Sequence, residues 1–401
     1  MNSFFASVCQ AEEPALMARA VGVVTTDAPG AALIAASREA KARGVGMGTR
    51  LEEARRLCPG IAVRAARHDL FVDYHHRIRA AVETVLPIDI AHSVDEFSCR
   101  LMGRQQALDA ALALGAEVQR VIRAEVHPAL TCSVGVAPNK LLAKIAAELR
   151  KPEGLDWLAP EVLPDKIAHL SPTDLPGIAG GLGPRLARAG IRTVADLHAL
   201  TPKAARHLWG NVEGERFLRQ LHGETVAAPE TQRHSLGHGQ RLTPQNRTPE
   251  AARAVARRLL VKAAARLRRE GGFARSLHVG LKCADHGAQS ASGEITPTRD
   301  TFDLSRAFDR YWARLPCRHP ISVSVMLGAL QDEADHVADL FETRAAGEAT
   351  AREGLCTAID ALNARFGQDT VRFGELPPHK VPYTGAKIAF GRIPDRAEFN
   401  E

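Results

Sequence analysis

Between Leu277 and Leu327 the sequence twice settles into a strict period of two. Leu277, Val279, Leu281 and Cys283 alternate with His278 and Lys282, and Ile321, Val323, Val325 and Leu327 alternate with Ser322 and Ser324. Alternation of this kind describes antiparallel strands with one buried face and one open face. Ahead of them lies a helix with every start and stop signal. Thr248 is a natural N-cap, Pro249 occupies the first helical position, Glu250 suits the positive end, and Gly271-Gly272 ends the run. A strand over 235–242, another near 292–302 and a helix over 304–315 complete the order βαββαβ. This is a ferredoxin-like split unit covering residues 235–330.

The first 150 residues alternate differently. Short apolar runs at 20–26 and 31–37 are split by Asp27-Ala-Pro-Gly30, a turn signal. A short helix at 48–57, a strand at 61–66 and a helix at 68–85 follow. PIDIAHSVDEFSCRL (87–101) reads as a hairpin with SVDE at its bend. Helices at 105–126 and 139–149 flank a strand at 131–137. The opening MNSFFASV also reads as a strand, with Phe4, Ala6 and Val8 on one face. Residues 160–230 are helical and punctuated by glycines, and 223–234 read as a linker. Alternating units of this kind indicate an α/β or α+β domain, and the chain as a whole is expected to be α+β multidomain.

Composition narrows the class. The 401 residues are 45% hydrophobic and 24% charged, as in a folded globular protein. The seven cysteines are scattered without a CxxC pair, which suggests neither a disulfide framework nor zinc. His75-His76 reads as a helix face. With no apolar run long enough for a membrane and no leader before Met1, the expectation is a cytoplasmic protein with no membrane partner. The net charge of +6 hides a concentration: residues 247–282 hold ten Lys/Arg against two acids. Such a basic face suits a polyanion, although a solvated helix face has the same composition.

Four stretches carry candidate chemistry. Asp95-Glu96 places adjacent carboxylates on a tight bend, an arrangement that binds hard divalent cations and is also common in surface turns. In SREAKARGVGMGT (37–49), Arg38 and Lys41 share a helical face that suits a triphosphate. In APNKLLAKIAAELRKPEG (137–154), Lys140 and Lys144 share another face and Lys151 follows the helix. In LPGIAGGLGPRLARAGI (175–191), glycines between helices can offer backbone N–H groups to a phosphate.

Each motif is weak alone, but their order is specific. MNSFFASV, ASREAKARGV, SVDEF, SVGVAPNKLLAKIA, KPEG, LPGI and the basic βαββαβ unit together resemble the Y-family (DinB/UmuC-type) translesion DNA polymerases along nearly the whole chain. The resemblance implies a polymerase right hand plus a little finger. Residues 1–19 and 67–158 would be palm, 20–66 fingers, and 159–226 a thumb with a helix-hairpin-helix. Residues 227–234 would be a linker, 235–330 the little finger, and 331–401 a C-terminal tail. It also implies primer–template DNA and a dNTP as partners and two Mg²⁺ ions. Asp95 and Glu96 would be catalytic metal ligands, with the Met1 backbone carbonyl also on a metal. Phe4, Phe5, Arg38, Lys41 and Lys151 would surround the nucleotide, Phe5 as the gate against a ribose 2′-OH. Gly177, Gly180 and Gly181 of the thumb and Arg253, Arg257, Arg258 and Lys262 of the little finger would hold DNA. HVADLF (336–341) looks like a weakened sliding-clamp-binding pattern that keeps Leu340 and Phe341.

The departures from the family pattern bear on activity. The family has an aspartate directly before the position of Met1, so the third carboxylate is expected there. Cys9 stands where a later acid is usual, Arg38 replaces the usual Tyr, Glu148 the usual Asp, and Ala179 the hairpin's second glycine. Two readings follow. One is a translesion polymerase using two-metal nucleotidyl transfer. The other is a catalytically inactive, ImuB-type DNA-binding accessory protein. With two of three acids, the 401-residue chain is expected to be inactive or severely impaired.

Overall fold

The computed structural model describes residues 1–25, 30–227, 233–316, 318–333, 346–367, 369–374 and 393. Asp27-Ala-Pro, most of the 227–234 linker, Cys317, Leu340 and Phe341 lie outside them. The chain divides into two compact units, residues 1–229 and 230–387. No helix among the described residues is long and apolar enough to cross a membrane.

The first unit corrects the reading of the chain's opening. From Phe4 onward MNSFFASV is a helix, α1 (Phe4–Glu12), and ahead of it the Asn2 N–H donates to the Thr131 carbonyl at 2.8 Å. Phe4, Ala6, Ser7, Val8, Cys9 and Gln10 are all buried. A short segment buried nearly all round has no polar face to set its period, so alternation cannot tell strand from helix. The buried polar side chains are satisfied internally. Ser7 Oγ donates to the Asn2 carbonyl, and Gln10 Nε2 to the Arg19 carbonyl and to Glu39.

α1 packs on a three-stranded sheet, β1 (Val21–Val24), β2 (Leu33–Ala36) and β3 (Ala62–Ala65), in the order β2-β1-β3. Helices α2 (Arg38–Lys41) and α3 (Leu51–Leu57) lie between β2 and β3 in sequence, and α4 (His68–Glu83) follows. The expected hairpin forms from β4 (Ile88–Ser93) and β5 (Glu96–Cys99). After α5 (Leu108–Val121) and one π-helical turn, β6 (Val134–Val136) pairs in parallel with β7 (Leu155–Trp157) across the crossover helix α6 (Lys140–Leu149). The strand β7 is absent from the sequence reading, because three residues are too few to show a period. Short helices α7 (Gly183–Arg188), α8 (Val194–His198), α9 (Pro202–Trp209) and α10 (Val212–Leu221) then close on the apolar side of α6.

Gly135 explains how close β6 and α6 lie. A Cβ there would meet the Ala143 carbonyl oxygen at 1.9 Å and the Ala147 nitrogen at 2.5 Å. The obstacle is helix backbone, which cannot rotate away.

The second unit has the expected βαββαβ order. β8 (Ser235–Arg241), α11 (Pro249–Arg269), β9 (Gly272–Cys283), β10 (Gly287–Thr298), α12 (Thr301–Trp312) and β11 (Pro320–Gly328) form an antiparallel sheet ordered β10-β9-β11-β8. Each helix therefore joins two parallel strands separated by a third, the split arrangement. The helices bury Leu277, Val279, Leu281, Val323, Val325 and Leu327 beneath them. The other sheet face is built of cross-strand rows such as Arg241–Ser322–Lys282–Ala288 and Gly239–Ser324–Gly280–Ser290. Beyond a short β12 (Gln331–Asp332), α13 (Ala346–Phe366) packs on α11. Cys356, Ile359 and Phe373 form a small core there with Val261.

Gly135→Ala should destabilise the first unit by about 1–3 kcal/mol, the usual cost of overpacking. Urea unfolding read by a probe in that unit checks this, and an unchanged midpoint would refute the close approach.

Candidate active site

The bend between β4 and β5 carries Ser93, Val94, Asp95 and Glu96. Val94 is buried and anchors the turn. Behind it, the buried His75 of α4 donates from Nδ1 to the Val94 carbonyl at 2.9 Å, and its ring stacks on Phe97 with centroids 5.0 Å apart. Burial holds the imidazole pKa below its ordinary value, although the Val94 bond acts against this. A neutral ring is what this packing needs. His75 therefore supports the bend, as its reading as part of a helix face allows.

Asp95 accepts a hydrogen bond from Ser93 Oγ at 2.7 Å. The Met1 ammonium donates to the Asp95 carbonyl at 2.6 Å, which brings the first residue of the chain directly to the bend. Glu96 accepts two bonds from Lys144 Nζ, at 2.7 and 2.8 Å. Burial raises the Glu96 pKa. Lys144, by hydrogen bonding and by charge, outweighs it with help from the N-terminal ammonium and Lys151, so the carboxyl sits below its ordinary range. Lys140, one turn earlier on α6, pairs with Asp89 of β4 at 3.0 Å. The i,i+4 lysines are thus a two-point clamp on the hairpin. Their shared face is visible in the sequence, but their acidic partners, 48 residues away for Glu96, are not.

The nucleotide candidates separate. Phe4 is only 4% exposed and its side chain belongs to the core, so any contact of this residue with a nucleotide would be through its backbone. Phe5 is half-buried and stacked on Phe71 at 4.2 Å with 19° between the rings. Lys41 is exposed on α2. Arg38 pairs with Glu153, which also accepts from Arg123 at 2.6 Å, and Lys151 pairs with Glu148. Glu153, Arg123 and Ser93 are absent from the sequence reading. The KPEG loop was the available signal for Glu153.

Among the DNA candidates, Gly177 has φ +90°, a conformation that favours glycine, and Gly180 and Gly181 are exposed with open space around them. On α11, Arg253 pairs with Asp309 at 2.9 Å and Arg258 with Asp369 at 2.7 Å. Arg257 lies half-buried with Gly374 beside its guanidinium, and Lys262 is exposed. Much of the basic face of α11 is thus met by acids of α12 and of the segment that follows α13. Periodicity in the sequence could not place those acids opposite it.

Among the described residues, no group of three or more His, Cys, Asp and Glu side chains is poised to hold a metal. Asp95 and Glu96 still offer hard oxygen donors on one bend, the ligand type that suits a hard divalent cation. Lys144→Met should move the Glu96 titration upward, since the largest lowering influence is lost while burial remains. Carboxyl ¹³C NMR of the variant checks this, and an unmoved titration would remove Lys144 from the site.

The comparisons with known proteins agree with this geometry. Residues 1–148 match the impB/mucB/samB family, and residues 233–340 match the impB/mucB/samB family C-terminal domain. The chain is 31% identical to a DNA polymerase IV of Moorella thermoacetica, over 97% of this chain and 96% of that protein. It is 30% identical to a DNA polymerase IV of Pelotomaculum thermopropionicum, over 92% of each. In structure it resembles a Y-family DNA polymerase chimera of Dbh and Dpo4, with TM-score 0.68 and 21% identity over 82% of this chain and 97% of the other. It also resembles DinB from Sulfolobus solfataricus, with TM-score 0.52 and 21% identity over 82% and 96%. Full-length identity to polymerases of this kind, both halves of the family pattern and the carboxylate bend agree: the chain belongs to the Y-family, DinB/UmuC-type DNA polymerases.

Proposed function

We propose that this protein performs template-directed translesion DNA synthesis, in which a primer 3′-OH attacks the α-phosphate of a dNTP. The observation that carries the reading is the Asp95-Glu96 bend, fixed from behind by His75 and from the side by Lys144, in a chain of this family. Asp95, Glu96 and the Met1 carbonyl are the residues that would hold Mg²⁺. When bound, such ions stabilise charge on the attacking and leaving oxygens of an in-line displacement. The protein's own part is positioning and charge. Lys144 keeps Glu96 ionised to lower pH. Arg38, Lys41 and Lys151 are cations for the triphosphate, and the Phe5 ring, held flat on Phe71, is the gate against a ribose 2′-OH. Leu340 and Phe341 are the proposed contact with a sliding clamp.

For DNA docking in the second unit, two faces compete. α11 carries the greater charge, but Arg258 and Arg268 are held by Asp369 and Asp360. The open sheet face carries fewer cations, Arg241 and Lys282, on a surface of serine and glycine that a phosphate backbone can approach closely. We assign the docking to the sheet face for its open serine and glycine surface, with the basic strip along α11 as the competing proposal.

In a chain given an aspartate directly before Met1, Asp95→Asn and Glu96→Gln should each lower primer extension by about a hundredfold or more, as loss of several kcal/mol of charge stabilisation implies. Placing an aspartate directly before Met1 should raise extension over the same 401 residues without it, by adding a third carboxylate at the bend. No extension from either chain, with primer–template binding intact, would favour the accessory role. Arg241→Ala with Lys282→Ala should flatten the log–log salt dependence of DNA binding by about 0.9 per lost phosphate contact. An effect confined to Arg257→Ala with Arg258→Ala would return the docking to α11.

A further inference from the structure

The loop after α6 holds one side chain in an unusual setting. Glu153 has φ +62°, a left-handed conformation that few non-glycine residues adopt. Its neighbours fix the loop. Gln119 Nε2 donates to the carbonyls of Cys132, Glu153 and Gly154 at 3.0, 3.0 and 3.1 Å. Gly154 lies so tightly on the chain that a Cβ would meet the Arg150 carbonyl oxygen at 2.2 Å. From this fixed backbone the Glu153 carboxylate bridges two guanidiniums, with Oε1 on Arg38 of α2 and Oε2 on Arg123 of the turn after α5.

We propose that Glu153 is a placeholder for the nucleotide triphosphate, pairing with Arg38 and yielding it to an arriving triphosphate. This rests on the reading of Arg38 as a triphosphate contact. Carboxylate and phosphate oxygens accept guanidinium N–H groups in the same fork geometry. A triphosphate carries several negative charges where Glu153 carries one, so it outcompetes the carboxylate for Arg38. Arg123 gives Glu153 somewhere to stay after the exchange, so the carboxylate is not left unpaired. Lys151 repeats the pattern, since it is paired with Glu148. Glu153 is therefore a positioning residue. It sets the affinity for the triphosphate.

The test is equilibrium titration of the full chain with a fluorescent dATP in Ca²⁺ buffer. Glu153→Asn removes the charge and keeps a residue type that tolerates positive φ; Glu153→Gln, which keeps the side-chain length, is the second variant. Both should bind about two- to fivefold more tightly than the unaltered chain, the range that an exposed ion pair spans. The gain should vanish in an Arg38→Ala background and shrink as salt rises. Unchanged or weaker binding by both variants, with Arg38→Ala still weakening it, would overturn the placeholder role alone. If Arg38→Ala leaves binding unchanged, the triphosphate reading itself fails, and the placeholder with it.

Discussion

Much at the carboxylate bend depends on one close approach, the backbone of α6 against Gly135 of β6. Because no Cβ intervenes, the helix lies directly on the strand. Its two faces then serve different neighbours. Leu142, Ile145 and Ala146 enter the core shared with the short helices after residue 160, while Lys140 and Lys144 reach back to Asp89 and Glu96. One helix thus joins the helical subdomain to the hairpin. A lysine displaced by even one turn would miss its carboxylate.

Electrostatics around the site follow a common plan. Cations expected at the triphosphate or at DNA are paired in this structure, Arg38 with Glu153, Lys151 with Glu148 and Arg258 with Asp369. Exposed pairs of this type contribute little to stability, typically below about 1 kcal/mol. Their consequence is for binding, because a polyanion entering the site exchanges partners instead of neutralising bare charge. This separates the two basic regions. On the exposed loop the exchange costs little. On α11, Arg268 is only 6% exposed and is held by Asp360, the Arg299 carbonyl and Thr301 together, so release is costly.

Reading the sequence located elements well where one face is buried and the other wet. The hairpin at 87–101, the helix at 139–149 and the whole βαββαβ unit follow from such contrast. It failed where contrast is missing. α1 is buried on nearly every side, and the three residues of β7 are too few to show a period. The carboxylate pair and the lysine face were legible as residue types at a spacing. Their meeting was not, since nothing local relates Lys144 to Glu96.

The order of the βαββαβ unit, the acidic bend and the clusters of basic residues were determined by the sequence alone, because periodicity, capping and turn chemistry act over a few residues. Only the tertiary structure decided which charges are already spoken for. Glu153 between Arg38 and Arg123, Lys144 on Glu96 and Asp369 on Arg258 pair residues 30 to 115 positions apart. Coulomb attraction depends on distance in space, and the folded backbone sets that distance.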